Sequence, residues 1–273
     1  MILNAAFFEH DGLRFRTFAA GSGAPIVFLH GGGSRASNFR RMMEILAQRF
    51  HVIAFDLRGF GETGADPGRP ITHQTWAEDV GAVVDHFGIA RANLVGWSLG
   101  ATVALNFASQ FPARVDRIAL LGAPHPDRPT NRALFEKRLS IIANGGTAAD
   151  VVAATFAGIA QALSPWVLEH RPEALEQVRQ EHLSHDVALA AKVVDGYATR
   201  PDLNALLPKV QCPVTLIVGD ADRTCDLAGS QELQRRLSHA TIEIAPDCGH
   251  YYGVEQPDTV ARLIAEAFGE PHV

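Results

Sequence analysis

The stretch Val95-Gly96-Trp97-Ser98-Leu99-Gly100 decides how the rest of the chain is read. It carries Gly-x-Ser-x-Gly between an apolar run, Ala92 to Trp97, and a helix-like segment, Ala101 to Phe111. Two glycines around a serine arise often by chance. A serine at the junction of a buried strand and a helix is rarer. The chain must turn sharply there, and glycine at 96 and 100 relieves the crowding. Such a turn holds the Ser98 hydroxyl exposed. It also aims the positive end of a helix dipole at the same point, which favours developing negative charge. An ordinary serine in a glycine-rich turn is the plain alternative, so the flanking sequence has to decide.

Upstream, Ile2 to Phe8 and Leu13 to Ala19 read as short strands joined by an Asp11-Gly12 hairpin turn. Ile26 to Leu29 is a short apolar run, as expected of a buried strand, and it ends in His30-Gly31-Gly32-Gly33-Ser34. Phe39 to Phe50 has helical spacing. Val52 to Phe55 is the next strand, followed by Asp56-Leu57-Arg58-Gly59-Phe60-Gly61, and Thr75 to Phe87 is a helix. Downstream, Val115 to Leu121 is a strand. From Asn131 to Arg200 there are only helical stretches, broken by Gly145-Gly146 and Pro172. The strand rhythm resumes at Pro213 to Val218. A helix over Leu227–Leu237, a strand over Ala240–Ile244 and a closing helix over Thr259–Phe268 follow. Strands alternating with helices predict an α/β fold: a mainly parallel sheet covered on both faces, its first two strands an antiparallel edge, with an all-helical insertion.

Composition narrows the function. The chain has 273 residues, 47% hydrophobic, enough for a full core. A formal net charge of −6 with no basic cluster gives nucleic-acid binding no electrostatic support. No apolar run is long enough to cross a membrane, and Met1-Ile2-Leu3-Asn4 lacks the character of a signal peptide. Three cysteines, Cys212, Cys225 and Cys248, form no Cys-x-x-Cys pair; the odd count fits a reducing compartment, so a cytoplasmic location is expected. No metal site can be assembled from them, because zinc needs further ligands that the sequence does not place. Neither a metal nor a cofactor is expected, and the partner is a small molecule bound by a monomer or homodimer.

A serine hydroxyl is a poor nucleophile until a base takes its proton, and the base needs an acid to hold its tautomer and stabilise its cation. His250 is the best placed of twelve histidines, in Pro246-Asp247-Cys248-Gly249-His250-Tyr251 just past the last strand. Active-site loops of parallel sheets lie at the carboxyl ends of the strands. The acid should come from Gly219-Asp220-Ala221-Asp222-Arg223. Asp222 is further into the loop than Asp220, which suits a turn cap, and Asp226 suits a helix N-cap. Backbone amides at Leu99 and in the Gly31-Gly32-Gly33 loop can form an oxyanion hole. The same glycines could instead cradle phosphate, but no Gly-Lys-Ser or Gly-Lys-Thr follows them.

Five motifs in order resemble the α/β-hydrolase superfamily with a helical cap. They are His30-Gly31-Gly32, Asp56-Leu57-Arg58-Gly59-Phe60-Gly61, Gly96-Trp97-Ser98-Leu99-Gly100, Gly219-x-x-Asp222, and Gly249-His250 with Glu255-Gln256-Pro257. The resemblance covers nearly the whole chain. It implies an eight-stranded sheet with the cap inserted after the sixth strand: core over 1–124 and 206–273, cap over 125–205. It also implies Ser98 as nucleophile, Asp222 as acid, His250 as base, and the Gly32 and Leu99 amides as oxyanion hole. Pro124-His125-Pro126 looks like the epoxide-opening branch, whose nucleophile is an aspartate; Ser98 at that position argues against it.

The fold hosts many reactions, so the triad fixes only the mechanism class. The insertion, with its Arg138…Gly145 stretch and Gly196-Tyr197, looks similar to the cap of 3-oxoadipate enol-lactonases, and Asn38-Phe39 to hydrolases that cleave carbon–carbon bonds of ring-fission products. Both imply small anionic substrates from aromatic catabolism. Arg35, Arg128 and Arg138 are the candidate carboxylate binders, against the bland reading of solvated surface arginines. Phe135, Phe156, Trp166 and Tyr197 are candidates to line an apolar pocket under the cap, or to pack cap helices together. Trp97 and Tyr251, beside the nucleophile and the base, are further substrate-binding candidates, Trp97 as a pocket wall or else as plain core packing. The expected reaction is hydrolysis of an ester or (enol-)lactone. The competing readings are carbon–carbon hydrolysis of a diketone, a cofactor-free haloperoxidase, perhydrolase or dioxygenase, and a non-catalytic small-ligand receptor.

Overall fold

The computed structural model describes residues 3–65, 68–128, 132–184 and 186–269. Eight strands form one sheet: β1 Ala5–His10, β2 Leu13–Ala20, β3 Pro25–Leu29, β4 His51–Phe55, β5 Ala92–Trp97, β6 Val115–Leu121, β7 Val214–Gly219 and β8 Ala240–Ala245. Their order is β1-β2-β4-β3-β5-β6-β7-β8. The β1–β2 and β2–β4 pairs are antiparallel and all others parallel. The hairpin turns at Asp11 and Gly12, both at positive φ (50° and 73°), which matches the right-handed strand twist.

Alternate side chains of each inner strand enter opposite cores. Val27, Leu29, Leu94 and Leu216 pack with α2 His73–His86, α3 Leu99–Gln110 and α10 Leu227–Arg236. Ile26, Phe28, Val95 and Ile217 pack with α1 Arg40–Leu46 and α12 Pro257–Phe268. Both faces are therefore dry, and these strands read as mostly apolar runs. Helix α1 is shorter than its spacing predicts. Ala36–Phe39 is a 3₁₀ turn, and after Leu46 the chain tightens through Gln48 N–H to Ile45 and Arg49 N–H to Leu46, because it must enter β4 at His51.

Between β6 and β7 lies the helical cap: α4 Arg132–Ala143, α5 Ala148–Gln161, α6 Pro165–His170, α7 Glu173–Leu183 and α8 Val187–Ala198. Helix α5 packs on α7, and α4 on α8. The short helices α9 Leu203–Leu206 and α11 Tyr252–Glu255 complete the set. No helix among the described residues is long and apolar enough to cross a membrane.

Candidate active site

Strand β3 connects outward to β4, while its other neighbour, β5, connects the opposite way to β6. The loops after β3 and β5 therefore part, and a parallel sheet binds ligands in the crevice at such a switch point. The two loops are the glycine loop and the Ser98 turn. Ser98 sits at φ 53°, ψ −107°, a strained conformation for a non-glycine residue, and costs about 1–3 kcal/mol that its surroundings must offset. Glycine is obligatory on either side. A Cβ at Gly96 would lie 2.5 Å from the Gly100 carbonyl oxygen, and one at Gly100 would lie 2.0 Å from the Leu29 oxygen. Ser98 N–H donates to Leu121 O at 3.0 Å, which ties the turn to the end of β6. Helix α3 starts at Leu99. Neither the Leu99 nor the Gly32 amide donates a hydrogen bond to another described residue.

Asp222 and His250, on the loops after β7 and β8, meet. His250 Nδ1 is 2.8 Å from Asp222 Oδ2. Asp222 Oδ1 accepts from the Thr224 and Cys225 amides, both at 2.8 Å. Burial alone would raise this carboxyl. The His250 charge and hydrogen bonds from His250, Cys225 and Thr224 outweigh it and hold Asp222 below the usual carboxylate range. An ionised carboxylate only accepts, so His250 donates through Nδ1, and a neutral ring then offers Nε2 as a base. The other two aspartates have separate tasks. Asp220 accepts from the Asp247 and Cys248 amides, joining the two loops, and Asp226 caps α10 through the Gly229 amide.

The indole of Trp97, buried beside Ser98, lies 5.9 Å from the His250 ring and 5.8 Å from that of Tyr251, centroid to centroid. The histidine loop is fixed from beneath by Glu255. Its carboxylate accepts from the amides of Gly249 (2.9 Å) and Tyr251 (2.8 Å), one on each side of His250, and from Ser164 in the cap (2.7 Å). His250 N–H itself donates to Ala162 O at 2.7 Å. The link between α5 and α6 is thus built onto the loop that carries His250.

A second, half-buried acid joins cap to core at the glycine loop. Glu181, on α7, accepts from Ser34 Oγ at 2.8 Å and from Asn38 Nδ2 at 2.7 and 2.8 Å. Beside it, Arg35 donates to Ser184 Oγ. Burial pushes the Glu181 carboxyl up to about 7, against the Ser34 bond and the Arg35 charge. Between pH 4.5 and 7 the folded protein therefore keeps a proton that the unfolded chain releases, and stability contributed by this group falls as pH rises through that window. Glu181→Gln should gain melting temperature relative to the parent as pH rises across this range, with the difference flat above it. Thermal scans of both proteins against pH check this. His73, lowered to about 4 by burial, acts on both proteins alike and drops out of the difference.

A cavity of about 90 Å³ lies between the cap and the core loops, bordered by Gly33, Phe60, Arg138, Thr155, His182 and Tyr197 among others. Ser98 and His250 are not among its lining residues; the glycine loop is where it reaches the switch point. The Tyr197 hydroxyl stands over Gly32, 1.7 Å from where a Cβ would be, so a larger residue there would have to displace the tyrosine. Arg138 is the candidate arginine that borders the cavity. Arg128 lies outside that lining, with its side chain 59% exposed and paired with Asp226 at 3.2 Å. Trp166 is 39% exposed and stacks on His170, away from the cavity. Phe156 is half-buried on α5 outside the lining, and the Phe135 side chain lies outside the described residues.

Three supporting residues escape a reading of the sequence. Tyr252 donates to Asp222, Glu255 frames His250, and His30 accepts from the Leu57 amide at 2.9 Å, holding the start of the glycine loop to the Asp56–Gly61 turn. Their positions in Gly-His-Tyr-Tyr, Glu-Gln-Pro and His-Gly-Gly were visible; their contacts are not.

The chain resembles known proteins in sequence and in fold. A 3-oxoadipate enol-lactonase of Acinetobacter baylyi is 26% identical over 264 residues, 92% of this chain and 91% of the relative. A 2-hydroxy-6-oxo-2,4-heptadienoate hydrolase of Pseudomonas putida is 27% identical, over 93% and 92% of the two chains. A thermophilic esterase from Thermogutta terrifontis, solved with malate bound, superimposes with a TM-score of 0.87 at 26% identity, covering 99% of this chain and 100% of that one. The family model for the alpha/beta hydrolase fold matches residues 24–257. With its eight-stranded sheet and helical cap, the chain belongs to the α/β-hydrolase fold family.

Proposed function

We propose that the chain is a serine hydrolase that cleaves a small carboxylic ester or lactone through an acyl-enzyme at Ser98. The observation that carries this reading is the 2.8 Å contact between Asp222 and His250 on loops at the same end of the sheet as the strained Ser98 turn. His250 Nε2 takes the serine proton as Oγ attacks the acyl carbon. The Gly32 and Leu99 amides hold the oxyanion, and the helix dipole of α3 adds to them. The imidazolium formed, stabilised by Asp222, protonates the leaving oxygen. The neutral ring then activates water against the acyl-enzyme, and the same steps in reverse order free the serine. This chemistry needs no cofactor.

Residues 125–205 are the part that selects the acyl group in this reading. Arg138, bordering the cavity, supports a substrate with a carboxylate remote from the scissile bond. The malate found in the Thermogutta terrifontis esterase, a small dicarboxylate, is in keeping with it. Arg138→Gln should raise KM for a monoester of a dicarboxylic acid by about 10-fold or more, the scale of a lost charged hydrogen bond, and affect p-nitrophenyl acetate far less. Steady-state kinetics on a panel of neutral esters, half-esters, enol-lactones and ring-fission diketones checks it. Equal effects on neutral and anionic esters would remove Arg138 from substrate recognition. Preference for a diketone over every ester would replace ester cleavage by carbon–carbon hydrolysis.

A further inference from the structure

We propose that Tyr252 is a positioning residue for the Asp222–His250 pair: its phenol holds the carboxylate oxygen that faces His250 and shares that oxygen's charge with the imidazole. The proposal rests on the triad reading above and adds a fourth member to it.

The direction of each proton follows from the contacts. Tyr252 Oη lies 3.0 Å from Asp222 Oδ2 and 3.0 Å from the Gly219 amide nitrogen. The amide can only donate, so the phenol oxygen accepts there, and its single proton goes to Asp222. Tyr252 is fully buried, and burial together with the Asp222 charge keeps the phenol protonated. The carboxylate then receives four hydrogen bonds: Thr224 and Cys225 on Oδ1, His250 and Tyr252 on Oδ2. That fills its acceptor sites and fixes its plane. The chain Gly219 N–H to Tyr252 O–H to Asp222 is one in which each bond polarises the next.

The local fold delivers both donors to one oxygen. Tyr252 opens α11 two residues after His250, and Glu255 on the same short helix grips the Gly249 and Tyr251 amides. Room for the pair comes from Gly122 at the tip of β6, at φ 54°. A Cβ there would lie 2.8 Å from Asp222 Oδ2 and 3.1 Å from Tyr252 Oη. The other titratable groups facing the phenol are the Cys225 and Cys248 thiols, both held neutral by burial, so Asp222 is the charge it meets.

A phenol that draws on Oδ2 weakens the hold of that oxygen on the imidazolium. It restrains the ring at the same time. Without the phenol, the charge on that oxygen falls on His250 alone, which favours the imidazolium over the neutral ring.

The test compares kcat/KM against pH for the parent, Tyr252→Phe and a protein with 3-fluorotyrosine placed at 252, using p-nitrophenyl acetate, with Ser98→Ala and His250→Ala alongside. In Tyr252→Phe the acid limb should move up by about half a pH unit and kcat fall roughly tenfold with KM little changed. The more acidic fluorophenol keeps both hydrogen bonds and should move the limb down, which keeps the test alive if Tyr252→Phe does not fold. The low-field resonance of the His250 Nδ1 proton should shift in both. If Ser98→Ala and His250→Ala are inactive while the limb and the resonance stay put in folded 252 variants, Tyr252 is only a packing residue. If Ser98→Ala keeps the parent's activity, the triad reading itself fails.

Discussion

Ser98→Ala should lower kcat on p-nitrophenyl acetate by about 10⁴-fold or more, with the fold intact. In the proposed mechanism no other side chain can carry the acyl group, so the residual rate is what the Gly32 and Leu99 amides supply by themselves. The position also predicts an effect of opposite sign on stability. Alanine inherits the strain at φ 53°, whereas glycine does not. Ser98→Gly should therefore be as inactive as Ser98→Ala yet more stable by about 1 kcal/mol. Steady-state kinetics and thermal melts on the two variants separate strain from chemistry. A melting temperature for Ser98→Gly at or below that of Ser98→Ala would contradict the strain argument.

The largest expected loss of stability lies away from the serine. Arg58 and Asp79 form a buried pair, 0% and 1% exposed, with Arg58 Nε 2.9 Å and Nη2 2.5 Å from the two carboxylate oxygens. The pair fixes the Asp56–Gly61 turn, whose Gly59, Phe60 and Gly61 border the cavity, onto α2. The Trp76 indole adds a bond to the Arg58 carbonyl at 2.9 Å. Removing one partner of such a pair costs about 3–5 kcal/mol, because the other is left buried and unpaired. The two single variants should not be equal. Burial pushes the Asp79 carboxyl up even against Arg58, so in Arg58→Met it can take a proton and become neutral. Arg58 cannot shed its charge, so Asp79→Leu should be the more damaging. Urea unfolding should show about 4 kcal/mol lost in Asp79→Leu, less in Arg58→Met, and part of the loss recovered in the double variant. Equal losses in the two single variants would mean that packing, not charge, governs the site.

The sheet was legible because its inner strands are buried on both faces and each carries a short, mostly apolar run between turn residues. The helical insertion was legible for another reason, since its apolar residues fall in longer stretches, as over Ala148–Gln161, that run to helical rather than strand length. Helix α1 was overread because spacing records which residues face the core, not where the chain has to leave for β4. At the site, the loop positions of Asp222 and His250 follow from strand order. The choice among Arg35, Arg128 and Arg138 depends on how the cap seats on the glycine loop, and no local pattern encodes that. The same holds for Tyr252, Glu255 and Glu181. Each acts through a partner far away along the chain or around a tight turn, and each reads locally as an ordinary residue of a short helix or a charged helix face.

The most direct test of the account is covalent. Incubation with a fluorophosphonate, followed by intact mass and peptide mapping, should give one adduct per chain, on Ser98. Labelling should be lost in Ser98→Ala and strongly slowed in His250→Ala, in step with loss of ester hydrolysis. An enzyme that hydrolyses the ester yet carries the adduct elsewhere, or resists the reagent while Ser98→Ala stays active, would contradict the acyl-enzyme at Ser98.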